Sequence, residues 1–358
     1  MHKSLTRRTW LTGAALAAPQ RAAEPVRLPH KVRLALIGME GHTGEILSHL
    51  SEVPDVELVA LCDPNAKAMA AMARRPYAAH ARQYTDYRRL LDAEKLEMAA
   101  VCGENGTRAE IILACAARRV HVVAEKPLAT EAADLERIQQ AVRESGIRLT
   151  CLLPMRFYPP YLAMRQIVRA GEIGEVAQIG AQKSYKLEQR PDWMRHHASF
   201  GGTIPYIGVH MVDLMRFTSG RELVETVAFQ SRVGYPELRD MENTTATLFR
   251  LDNGGTAALR MDYLRPETAP THGDDRLRLA GTKGVVEYQE ASGLTLITAT
   301  APPRRITDLP PARSLFLDFL ESVYHGKPAG LSLEDIYRVN RIVLVARASA
   351  EQRRILPT

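Results

Sequence analysis

Four cysteines, two tryptophans and no long apolar run set the first limits on this 358-residue chain. No stretch approaches the roughly 18 consecutive apolar residues that cross a bilayer as a helix, so stable membrane insertion is not expected. The cysteines show neither CxxC nor zinc-like spacing, which excludes a disulfide framework or a structural zinc as the organising device. Cys62, Cys102 and Cys151 fall in predicted strands and Cys115 on an apolar helix face, positions suited to buried thiols. HExxH-like histidine spacing is also missing, and no metal is expected. The formal charge is +6. Its arginines come as scattered pairs (Arg74-Arg75, Arg118-Arg119, Arg304-Arg305), mostly near predicted helix ends, where they complement terminal carbonyls. Without a basic stripe or an aromatic platform, no nucleic-acid partner is expected.

What the chain does have is a composition of 46% hydrophobic and 25% charged residues, ordinary for a globular core, and a length that suits two domains. Residues 1–29 read as an export signal and linker. Arg7-Arg8 precede a short, weakly apolar stretch with alanine-rich cleavage options, a pattern that resembles a twin-arginine signal. The expected location is periplasmic or otherwise exported, and cytoplasmic if that signal does not function.

Residues 30–152 alternate strand and helix, the pattern of a doubly wound parallel (Rossmann) sheet. The strand Lys31–Ile37 runs into Gly38-Met39-Glu40-Gly41-His42-Thr43-Gly44, and a helix carrying Ile46, Leu47 and Leu50 on one face starts near Thr43. Glycines at such a turn let the backbone approach a pyrophosphate. The strand Val56–Cys62 then ends in Asp63, placed to hold an adenosine ribose. That carboxylate, with no arginine close behind it, favours NAD over NADP. The apolar run 120–124 ends in Glu125-Lys126-Pro127, at the carboxyl edge where open α/β sheets bind ligands. The loop 103–106, with Asn105, faces the same edge.

Residues 153–358 read as an α+β domain on a largely antiparallel open sheet, with one interrupting helix near 204–218. Tyr206, His210 and Asp213 share nearly one face of it. His210 could move a proton near neutral pH, with Asp213 fixing its tautomer. Pro302-Pro303 and Pro310-Pro311 mark exposed connections.

Taken together, Glu125-Lys126-Pro127, Arg156-Phe157 with Pro159, Gly171-Glu172-Ile173-Gly174, Gly201-Gly202 leading to His210 and Asp213, and Gly281-Thr282-Lys283-Gly284 carry a family resemblance. Over nearly all of residues 30 to 350 the chain resembles the glucose–fructose oxidoreductase / inositol dehydrogenase / rhizopine catabolism (Gfo/Idh/MocA) family of NAD(P)-dependent oxidoreductases. The resemblance implies hydride transfer between NAD and a sugar, cyclitol or related polyol, in a homo-oligomer paired through the exposed face of the large sheet. Lys126, His210 and Tyr206 would handle the proton. Gly38, Met39, Gly41, His42, Thr43, Gly44, Asp63, Asn105 and Glu125, together with Lys126, would hold the cofactor. Arg156, Lys183, Trp193 and Asp213 would meet the substrate, with Arg195, Tyr263 and His272 bordering the cleft.

Two departures from the family stand out. Tyr206 occupies the position of a usual aspartate, and Glu104-Asn105 with Arg108 replaces a Pro-Asn and histidine pattern. A tyrosine acts as an anionic base only if its ordinary value of about 10 is strongly lowered. Redox-assisted glycoside cleavage by a tightly held NAD, and sugar or nucleotide binding without turnover, are therefore the rival expectations.

Overall fold

The computed structural model describes residues 25–358, and the paired-arginine segment lies outside the described residues. Six strands form a wholly parallel first sheet: β1 Val32–Ile37, β2 Val56–Cys62, β3 Arg82–Tyr84, β4 Met98–Val101, β5 His121–Ala124 and β6 Leu149–Cys151. Their order is β3-β2-β1-β4-β5-β6, so the connections reverse direction between β1 and β4. That switch point opens a crevice at the carboxyl ends of the strands. β4 (MAAV) is buried throughout and β5 (HVVA) nearly so, as parallel strands covered on both faces must be. The covering helices are α1 Gly44–Leu47, α2 Ala66–Ala73, α3 Tyr87–Ala93, α4 Asn105–Ala117 and α5 Ala132–Ser145. Helix α1 is shorter than the apolar spacing suggests. After one turn Ser48 Oγ donates back to the Gly44 carbonyl at 2.5 Å, and a 3-10 turn at Leu50–Glu52 takes over.

Beyond α6 Pro159–Arg169 come β7 Val176–Lys186, the single turn α7 His197–Phe200 and the long α8 Thr203–Ser219. The second sheet continues with β8 Leu223–Ser231, β9 Thr244–Leu251, β10 Thr256–Arg265, β11 Gly273–Gly281, β12 Gly284–Gln289, β13 Gly293–Thr298, β14 Ala301–Ile306 and β15 Leu356–Pro357. Its order is β14-β13-β12-β11-β7-β10-β9-β8-β15, and only β7 and β10 pair in parallel. The architecture is thus a Rossmann sheet followed by a mostly antiparallel open sheet. Pro302-Pro303 corrects the sequence reading: both prolines lie in β14, the outermost strand, at an irregularity in its pairing with β13, where no ladder partner needs their missing N–H groups.

Helix α8 packs on one face of the second sheet and is buried nearly all round, so its sequence is apolar beyond a single stripe. Gly208 permits the close approach; a Cβ there would lie 2.9 Å from Met261 Sδ. On the opposite face β9 alternates strictly, leaving Leu248 exposed. The last two helices, α9 Leu315–His325 and α10 Leu333–Gln352, close the chain. Helix α10 fastens the two sheets to each other. Asn340 Oδ1 accepts from the Leu128 N–H at 2.8 Å, and Arg347 donates to the carbonyls of Thr130 (2.6 Å) and Gly201 (3.0 Å). The loop after β5 and the start of α8 are thereby held against one support.

Candidate active site

The first wall is the glycine turn. Gly38 has φ +87°, and a Cβ there would fall 1.0 Å from the Cys102 carbonyl oxygen, so only glycine lets the tips of β1 and β4 meet. Gly41, at φ +72°, lies against the Glu125 side chain, with 2.8 Å from an added Cβ to Cδ. Asp63 spans the neighbouring tip: Oδ2 accepts from Met39 N (2.9 Å) and Oδ1 from Asn65 N (2.7 Å). Each carboxylate oxygen keeps a second lone pair for a ribose hydroxyl. Gly44 has open space where a side chain would stand. These features fit a dinucleotide, with Gly38, Gly41 and Gly44 at its phosphates and Asp63 at its ribose.

Beside the turn, Glu125 is buried and accepts from both the backbone and the ring of His42, at 3.0 and 2.9 Å. Burial alone would raise its carboxyl. The charges of His42, Lys126 and Arg108 outweigh that and hold it at about 2. His42 thus belongs to two loops at once, and its ring meets the His210 ring edge-on with centroids 5.2 Å apart.

Lys126 is only 4% exposed. Its Nζ donates to the Tyr206 carbonyl at 3.0 Å, lies 3.7 Å from Glu125 Oε1 and sits 3.7 Å from the Tyr206 ring centroid. Burial lowers this amine to about 8, Glu125 opposing and Arg108 and Lys183 assisting. His210 is buried as well, with Nδ1 lacking any partner. Burial first, then the nearby cations Lys126, Lys183 and His42, hold its ring well below the ordinary histidine range. The structure therefore brings an amine titrating near neutrality and a neutral imidazole to one spot.

Tyr206 contributes a ring face rather than an activated hydroxyl. Burial, then Glu125, pushes its hydroxyl up to about 12, opposite to what an anionic base requires. Asn105 is 1% exposed and already engaged: Nδ2 donates to the Phe200 carbonyl (2.7 Å) and Oδ1 accepts from Arg108 (3.0 Å). Trp193 reaches across the crevice, its indole N–H donating to Glu40 at 2.9 Å. Lys183 is buried behind Lys126 and His210 and pairs with Asp275 at 2.7 Å.

Arg156 and Asp213 depart from the substrate role read from sequence. Arg156 Nε donates to Asp213 Oδ2 at 3.0 Å and Nη2 to Oδ1. Its remaining nitrogen meets Gly330 O and Asp335 at 3.0 and 3.1 Å. Every guanidinium nitrogen and both Asp213 oxygens are engaged in a buried structural pair, so Asp213 does not orient His210. In the sequence Arg108 stands out only as a departure from the family pattern. It is 1% exposed and donates to Asn105, to the Pro127 carbonyl at 2.6 Å and to the Gly103 carbonyl at 2.5 Å, bracing the Lys126 loop. Its spacing of three from Asn105 on α4 was the available signal.

Known proteins resemble the chain over both domains. Residues 32–152 match the profile of the GFO_IDH_MocA oxidoreductase family, NAD-binding Rossmann fold, and residues 161–287 that of the GFO/IDH/MocA C-terminal domain. Inositol 2-dehydrogenase of Salmonella typhimurium is 30% identical over 189 residues, which is 52% of this chain and 54% of that enzyme. Myo-inositol 2-dehydrogenase of Thermotoga maritima is 24% identical over 335 residues, covering 90% and 97%. A solved Thermotoga maritima structure, named only as an oxidoreductase, superposes with TM-score 0.84 at 29% identity, covering 91% of this chain and all of the other.

Proposed function

Because the chain belongs to the Gfo/Idh/MocA oxidoreductase family, whose first domain binds NAD, we propose that it moves a hydride between NAD and a sugar, cyclitol or related polyol. The observation that carries this reading is the buried Lys126 amine at the tip of β5, set against Glu125 and Tyr206 with His210 close by. NAD, when bound, supplies the hydride acceptor at C4 of the nicotinamide. The chain's own residues do the rest. Neutral Lys126 takes the proton from the carbinol oxygen, and in reverse its ammonium returns that proton to the carbonyl oxygen. His210, kept neutral by burial, offers the substrate hydroxyl one hydrogen bond without adding a competing charge. Glu125 counters the ammonium when it forms, and Arg108 holds the loop that presents it.

The test is NADH formation, followed by its near-ultraviolet absorbance, across a panel of sugars and cyclitols with product identification. A secondary alcohol converted to a ketone with stoichiometric NADH is expected. Cleaved glycosides without net NADH would replace this reading with redox-assisted hydrolysis.

Export and self-association belong to the same proposal. Arg7-Arg8 ahead of a small-residue stretch supports a twin-arginine route, tested by fusing residues 1–29 to a folded reporter and replacing both arginines with lysine. Phe229, Leu248 and Leu264 stand exposed on strands of the second sheet. They support pairing through that surface, tested by light scattering of the wild type and Leu248→Glu.

A further inference from the structure

Three cations in and behind the substrate side of the cleft each lie over a tyrosine. Lys126 Nζ is 3.7 Å from the Tyr206 centroid, Arg190 Cζ 4.7 Å from that of Tyr263, and Lys183 Nζ 5.0 Å from that of Tyr185. Tyr185 and Tyr263 sit on the paired strands β7 and β10, with ring centroids 6.2 Å apart. The three charges are not equally matched. Lys183 has Asp275 at 2.7 Å, and Lys126 has Glu125 at 3.7 Å.

Arg190 has no carboxylate partner among the described residues. Its Nη2 donates only to the Lys186 carbonyl at 2.8 Å, and its Nε is buried with no acceptor at all. The Tyr263 hydroxyl beneath it is likewise buried and unpartnered. The other acids nearby are engaged elsewhere: Glu40 by Trp193 (2.9 Å), Asp192 by Arg195 (3.6 Å), and Glu188, which feels the Arg190 charge without touching it, by His272 (2.9 Å). Tyr206, whose hydroxyl is pushed up to about 12, adds no negative charge to offset Arg190. A guanidinium that lines a cavity with no carboxylate against it, and only Nη2 engaged, can receive a planar anion there. It lines the same cavity of about 690 Å³ as Glu125 and Tyr206.

We infer that the substrate is an acid, a polyhydroxy compound carrying a carboxylate away from the reacting carbinol, and that Arg190 receives this carboxylate. This deepens the proposed reaction and rests on it for the identity of the carbinol. A cofactor phosphate is the other anion that could reach Arg190, so the test separates the two.

The experiment uses the full chain loaded with NAD and matched acid–neutral pairs: glucuronate with glucose, galacturonate with galactose, gluconate with glucitol. Binding is read by calorimetry and turnover by NADH. The acid of at least one pair is expected to bind about tenfold or more tightly than its neutral partner, the scale of one charge-assisted contact. Arg190→Gln removes that preference by raising KM for the acid roughly 10- to 100-fold while kcat at saturation and the Kd for NAD stay within about twofold. Arg190→Lys restores part of it. Neutral compounds binding as well as acids, or an equal effect of Arg190→Gln on both members of every pair, overturns the inference. Weakened NAD binding in Arg190→Gln assigns the residue to the cofactor and overturns it equally. Acid binding that depends on Arg190 without any NADH or cleavage would instead retire the proposed reaction and leave the anion site standing.

Discussion

At Lys126 the decisive quantity is how much of the amine is neutral. Burial lowers it to about 8, so near pH 7 about a tenth of the molecules hold a free base. Alcohol oxidation therefore rises with pH up to about 8 and levels above it, while carbonyl reduction, which needs the ammonium, falls over the same range. A pH profile of kcat/KM in both directions checks the opposite signs. Tyr206 gives the complementary expectation. Its hydroxyl, pushed up to about 12, stays protonated throughout, and its ring and backbone carbonyl, not its hydroxyl, meet Lys126. Tyr206→Phe should keep turnover within about threefold, since the cation–π contact survives; a loss of a hundredfold would make the hydroxyl a reacting group. Lys126 and His210 were legible in the sequence only in combination: a strand tip and a helical spacing alone read as a surface lysine and a core histidine, and the glycine turn, Asp63 and the family resemblance single them out. The orphan donor on Arg190 was not, because it depends on which acids fail to reach it in space.

On the scale of elements, the glycine turn and α8 carry the argument. Gly38→Ala would force a Cβ into the Cys102 carbonyl at a positive φ, prising β1 from β4. Loss of measurable NAD binding and destabilisation by several kcal/mol are expected, read by calorimetry and denaturant unfolding. Asp213→Ala leaves Nε and Nη2 of a buried guanidinium without acceptors, with Asp335 still on Nη1. It should cost roughly 3–5 kcal/mol of stability, the range for breaking a buried pair from one side. Turnover per folded molecule should persist, because Asp213 touches Arg156 and not His210. The sequence placed Tyr206, His210 and Asp213 on one face correctly. It could not show that this face meets different partners along its length, with Lys126 near one end and Arg156 further on. Edge elements were also hidden: β3 is three residues long and β14 carries two prolines, so neither has a readable period.

Across the whole molecule, two sheets close on one cleft, and α10 sets their spacing through Asn340 and Arg347. The alternation of strand and helix made the first sheet readable, whereas the parallel pairing of β7 with β10 inside an antiparallel sheet follows from packing alone. A dinucleotide in this cleft binds only the folded chain. Stripping NAD should therefore remove about 2.7 kcal/mol of apparent stability relative to protein held at a hundred times its Kd, seen as a lower Tm. The account stands or falls on the amine at the tip of β5. The most direct measurement is the single-turnover rate at which saturating substrate reduces bound NAD, in the wild type and in Lys126→Ala, with NAD binding measured alongside. The expected result is a rate lower by roughly 10²- to 10⁴-fold with NAD affinity nearly unchanged. A near-wild-type rate in Lys126→Ala with NAD bound would contradict it.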